Sequence, residues 1–204
     1  VGVVGSVGCE YEGDFSVGVE DGSLAMLLAA DNSIALSATG SFVFEGGDFA
    51  NASATLVTVS LNDSTTDYAA TPLTIAIDGV SADLNAGLNI QSVSVVGLAI
   101  DISGFVSLGG DFGFRITGND IEVAATDVVA ELAVGDFSVG FNNGSLAMLL
   151  AADDSTALMS SGSFFLVGGD FGGASADAIS VSMNNSTVDY AATPITISID
   201  GVSA

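Results

Sequence analysis

The sequence predicts an all-β chain, built of antiparallel β-meander repeats that form an elongated, solenoid-like stack. Three observations carry that expectation. Apolar residues alternate with Ser, Thr and Ala at period two over much of the chain. Asn/Asp/Gly clusters interrupt the alternation about every 8–10 residues, where turns are needed. Long stretches also recur without insertion or deletion.

The recurrence sets the organisation. Gly13-Asp14-Phe15-Ser16-Val17-Gly18 returns as Gly135-Asp136-Phe137-Ser138-Val139-Gly140, and Gly22 to Asp31 returns at 144–153. Thr71-Pro72 returns at 193–194, and Asp78-Gly79-Val80-Ser81-Ala82 at 200–204. Every pair is 122 residues apart, and 48 of 70 positions match between 13–82 and 135–204. Residues 1–12 form a variable junction, 13–134 a full unit and 135–204 a partial second unit, so the chain reads as a piece of a longer array. Gly-Gly-Asp-Phe occurs at 46–49, 109–112 and 168–171, after a Phe-rich strand each time. Each unit therefore divides into two diverged halves, about 13–73 and 74–134 in the full copy.

Taken in order, Leu24 to Ala30 is the one segment that also fits a helix. Its flanking turns favour a strand with both faces covered. Val57, Val59 and Leu61 alternate with Thr58 and Ser60, and Ile179, Val181 and Met183 repeat the pattern. Leu73, Ile75 and Ile77 match Ile195, Ile197 and Ile199, with Pro72 and Pro194 at the strand starts. Phe112, Phe114 and Ile116 run into Thr117-Gly118-Asn119-Asp120, and Ile121, Val123 and Ala125 then resume, which is a hairpin signature. Faces rich in Ser, Thr, Ala and Gly let another layer approach closely. Tandem β-sandwich domains are the alternative architecture, but no linker separates the copies and the half-units are short for a sandwich.

Composition narrows the function. The 204 residues hold 25 acids against one cation, Arg115, for a net charge of -24, with no His, no Trp and one Cys. Nucleic acid and anionic membrane surfaces are excluded as partners, because both require clustered Lys and Arg. An internal disulfide needs a second Cys. Ser6-Val7-Gly8-Cys9 only echoes a lipid-attachment box and lacks the basic, apolar lead-in. No apolar run reaches the roughly 18 residues of a membrane helix, and the lack of Trp argues against a membrane barrel, so no membrane insertion is expected. Asp outnumbers Glu 19 to 6, which places charge at turns, whereas a salt-adapted cytoplasmic protein would favour Glu and helix.

The Gly-Asp-Phe corners at Asp14, Asp48, Asp111, Asp136 and Asp170 have two readings. In the structural one, Gly bends the chain, Asp caps the turn and Phe anchors the next strand in the core. In the other, the five carboxylates are calcium ligands, although EF-hand spacing and the full calcium β-roll nonapeptide are missing. Ser-His, Cys-His and Schiff-base chemistry lack their residues, so no enzyme is expected; a carboxylate-pair glycosidase is the remote alternative. Arg115, beside Phe114 and Ile116, is expected to pair with an acid. The Asn-x-Ser/Thr triplets at Asn51, Asn62, Asn143, Asn184 and Asn185 follow from composition.

The stretches from Gly22-Ser23-Leu24-Ala25 through Ala38-Thr39-Gly40, with Gly-Gly-Asp-Phe, Ala-Ser-Ala and Thr-Pro-Leu-Thr-Ile, resemble those of very large β-strand-repeat surface proteins of some bacteria, green sulfur bacteria among them. The resemblance covers all but residues 1–12. It implies secretion, cell-surface display and attachment, and brings no catalytic residues. The function expected is a structural repeat segment of a long secreted cell-surface protein forming a fibre, sheath or adhesin. Its partners are neighbouring repeats or chains through self-association, or another cell surface or glycan. A Ca2+-dependent adhesive or ligand-binding module is the alternative.

Overall fold

The computed structural model describes residues 2–4, 7–10 and 15–204. The chain is all-β, and nine long strands form one open antiparallel meander that does not close into a barrel. Short β1 (Gly2–Val4) and β2 (Val7–Glu10) lie along β3 (Phe15–Leu28). Then come β4 (Ile34–Gly46) and β5 (Ala50–Asn62), a small hairpin of β6 (Leu73–Ile77) and β7 (Val80–Leu84), then β8 (Ile90–Ile102). The sheet continues through β9 (Val106–Thr117), β10 (Asp120–Val134), β11 (Phe137–Leu150), β12 (Thr156–Gly168) and β13 (Gly173–Asn184). A second small hairpin, β14 (Ser198–Ile199) and β15 (Val202–Ser203), ends the chain described.

The copies share one ladder. β10 of the first unit pairs with β11 of the second from Ile121↔Leu150 to Val134↔Phe137, so the boundary between units falls inside a continuous sheet. β2 meets β3 as β10 meets β11: Gly8 pairs with Gly18 as Glu131 pairs with Gly140. The junction that differs in sequence therefore keeps the strand position, because backbone pairing needs no particular side chain. The Gly-Gly-Asp-Phe stretches are not alike in structure. Those at 46–49 and 168–171 form the β4–β5 and β12–β13 connections, while 109–112 lies within β9. The hairpin expected at 117–120 joins β9 to β10.

A belt of bulges crosses the sheet at mid-height. Register shifts occur between Glu20 and Ser23, Gly40 and Phe42, Val95 and Leu98, Thr126 and Val129, Asn142 and Ser145, and Gly162 and Phe164. Asp21, Gly97, Asp127 and Asn143 have positive φ at these points. The reason is parity. On the side away from the hairpins, the apolar residues of β3 are odd above the belt (Val17, Val19) and even below it (Leu24, Met26, Leu28). An unbulged strand would turn one of these sets to the opposite face, and one extra residue returns it. β5, β8, β10, β11 and β13 switch parity in the same way, while β4, β9 and β12 keep theirs throughout.

The two small hairpins pack on one face of the sheet's lower half and make the only described clusters of fully buried residues. Ala82 and Leu84, with Tyr68, cover Ala25 and Ala35. Ile197, Ile199 and Val202 cover Ala124 beside Ala147 and Leu149. Small residues beneath are the condition for this approach. A Cβ on Gly113 would stand 2.9 Å from the Ile199 Cβ. The close layer allowed by the Ser/Ala/Gly face is thus a hairpin of the same chain. Leu24 to Leu28 is strand, but only Ala25 and Leu27 are covered; Leu24, Met26 and Leu28 belong to the other face. The expectation of cover on both faces fails because the hairpins occupy one side only.

Candidate interaction face

Cross-strand register assembles the side opposite the hairpins. Met26 pairs with Leu36, Leu36 with Leu61, Val59 with Val93, Val93 with Phe114, Phe114 with Val123, Val123 with Met148, Met148 with Leu158, and Leu158 with Met183. Directly paired residues share a face, so this is one apolar row across nine strands. Above the belt, Val19, Phe42, Ala54, Leu108, Ala130, Phe141 and Phe164 continue it. Among the described residues no element covers this side, and Val93, Phe114, Ile116, Ile121, Val181 and Met183 are all exposed. An apolar surface of this extent is a site of interaction.

Charge is confined elsewhere. Glu20, Glu45, Asp101, Asp111, Asp120, Glu122 and Glu131 all fall on the hairpin-bearing face by register. Arg115 sits there too, paired with Glu122 as expected, and its Nη1 donates to the Ser198 carbonyl at 2.9 Å. The lone cation thereby ties β9 to the second hairpin. On the same face, Glu45, Asn51, Ser53, Asp101 and Ser107 contribute to a shallow depression of about 570 Å³ between β4 and β9.

The five candidate calcium ligands are placed as follows. Asp14 lies outside the described residues. Asp48, Asp136 and Asp170 stand in connections at the upper end of the sheet, and Asp136 and Asp170 belong to adjoining turns, since a Cβ on Gly169 would be 3.3 Å from that of Asp136. Asp111 is inside β9, where its Oδ1 accepts from the Gly97 amide at 2.7 Å, satisfying a bulge in β8. Among the described residues, no three His, Cys, Asp or Glu side chains come together in a group able to hold a metal ion. The aromatic half of the motif is corrected: Phe49 is 67% exposed and Phe137 is also exposed, because each follows a turn at the open rim, where no layer lies above it.

Many acids instead hold backbone amides at turns. Asp31 accepts from the Ser33 amide and hydroxyl, and Asp153 does the same with Ser155. These bonds hold both carboxyls below the ordinary Asp value, led by the Ser33 amide at Asp31 and by the Ser155 hydroxyl at Asp153. Asp67 and Asp189 each receive two amides, from Ala69 and Ala70 and from Ala191 and Ala192. Asn62, whose Asn-x-Ser triplet the sequence attributes to composition, is 1% exposed and pins the corner after β5. Its amide donates to the Thr66 and Ala86 carbonyls, and its Oδ1 accepts twice from Ser64. Asn184 rebuilds this corner with Ser186 and Val188. The repetition of Asn-x-Ser at both corners is the signal that could have found them.

No helix among the described residues is long and apolar enough to cross a membrane. No family model, curated protein or solved structure matches the chain.

Proposed function

We propose that the chain is a structural repeat segment of a long extracellular surface protein that builds a fibre, sheath or adhesive layer. One observation carries this reading: successive copies join through one antiparallel ladder, β10 to β11, instead of folding as closed domains. A unit then adds six long strands to the same sheet and one separate hairpin. Such an array lengthens by duplication without a new interface having to be invented. The acidic, Lys-poor surface keeps an extended sheet soluble by self-repulsion while its uncharged side remains available for contact.

Electron microscopy of the purified chain tests the reading. Elongated ribbons or rods are expected. A uniform population of isolated, compact particles would count decisively against it.

A further inference from the structure

The uncovered side of the sheet is apolar over nine strands, and none of its register-paired residues is a carboxylate, in a chain with 25 of them. At strand spacings of about 4.8 Å and strand lengths of about 40 Å, this face measures on the order of 1,700 Å². A stable protein interface needs about 800 Å² from each partner. We propose that this face closes on the same face of a second copy of the chain, making a two-layer β-sandwich.

Charge favours this occupant. Two chains of net charge -24 repel at every surface except one that carries no charge, and the row from Met26 to Met183 is such a surface. Shape favours it as well. Two sheets with the same bulge belt carry the same twist, which is the condition for aligned face-to-face packing about 10 Å apart. Along the face, bulky Phe42, Phe141 and Phe164 stand beside small Ala54, Ala130 and Ala176, so ridges on one copy meet hollows on the other. A lipid surface is the less favoured occupant, because the chain has no Trp and only three Tyr to form interfacial girdles.

The four methionines provide a test that needs no mutation. Met26, Met148 and Met183 fall on the apolar face by register, and Met159 falls on the hairpin face. In a single sheet Met183 is 51% exposed and Met159 65%, so peroxide would oxidise them at similar rates. In the sandwich, Met159 oxidises and Met148 and Met183 are protected. The companion measurement is sedimentation equilibrium of the intact chain. A mass of twice 20.1 kDa is expected, and Phe114→Glu should weaken association on the order of 100-fold by burying an unpaired charge. Asn51→Asp, on the exposed hairpin face, should leave the mass unchanged.

A chain that stays monomeric up to about 100 µM overturns the proposal. So does equal oxidation of Met183 and Met159 in the wild-type protein, even if Phe114→Glu fails to fold. A larger assembly whose size Phe114→Glu does not alter, or a monomer that binds phosphatidylcholine vesicles, also overturns it, the last in favour of a lipid surface. The proposal rests on the face and not on the extracellular reading. A monomer would remove the sandwich and leave the ribbon reading standing.

Discussion

The two small hairpins share almost all of their sequence, yet they dock at different places. The first crosses β3 and β4 of its own unit, burying Leu84 completely and placing the Asn85 amide on Ser37 Oγ at 3.0 Å. The second passes over β8, β9 and β10, which belong to the preceding unit, and buries Ile199 and Val202 instead. Its turn is held by Ser92 Oγ donating to Asp200 at 2.7 Å and by Arg115. A difference in the surfaces accompanies the shift. Where the first unit has Ser37, the second has Met159, whose side chain stands up from the face at the position where the hairpin would lie. The preceding unit offers Gly113, Ser92 and Ser94, all small. Both hairpins lie where the residues beneath them are small.

The strongest way to break this comparison is to give the first unit the second unit's residue. Ser37→Met should destabilise the chain by about 2–4 kcal/mol, from overpacking under the hairpin plus the lost bond to Asn85. It should also open 63–89 to proteolysis. Urea denaturation with an unchanged midpoint would mean that Ser37 does not set the docking position.

A finer test uses two buried serines, one beneath each hairpin. Ser37 Oγ accepts from Asn85, whereas Ser94 Oγ is buried with no hydrogen-bond partner. Ser37→Ala should therefore cost about 1 kcal/mol, while Ser94→Ala should be neutral or stabilising, since it removes an unsatisfied hydroxyl. Equal losses at both sites would contradict this account.

The smallest effect concerns Asp31 and Asp153, equivalent residues in the two units. Both have folded-state values below the ordinary one, so each contributes stability that is present above about pH 4. That contribution is lost as pH falls through the lowered folded value. Both groups are solvent-exposed, and the effect on unfolding should be slight. NMR carboxyl titration should show Ser155→Ala raising the Asp153 value more than Ser33→Ala raises that of Asp31, because the hydroxyl leads at the former and the amide at the latter. An equal rise would show that the two turns are electrostatically identical.

Much of the fold was legible in local pattern. Alternation at 57–61, 73–77 and 112–125 identified strands, and Thr117-Gly118-Asn119-Asp120 identified a turn, because both depend on neighbours in sequence. The ion pair of Arg115 was foreseeable for want of any other cation. The mid-strand place of Gly109-Gly110-Asp111-Phe112 was not foreseeable from the motif, which is identical to one found in a turn. The parity switch between Val17/Val19 and Leu24/Met26 was present in the sequence. Read strand by strand, however, it resembles a break and not a bulge, and its meaning appears only when six strands share it at one height. The apolar face shows the same limit. Each strand announces an apolar side, but whether the neighbours turn that side the same way depends on register.

The sequence by itself determined that this protein is a repeating, acidic, antiparallel β-meander, because period-two alternation and turn chemistry act over a few residues. Tertiary structure alone decided that the copies share one sheet, that the hairpins settle on different units, and that Glu20, Glu45, Asp101, Asp111, Asp120, Glu122 and Glu131 fall on one side. Those outcomes depend on long-range pairing and on the height of the side chains beneath, which no local pattern encodes.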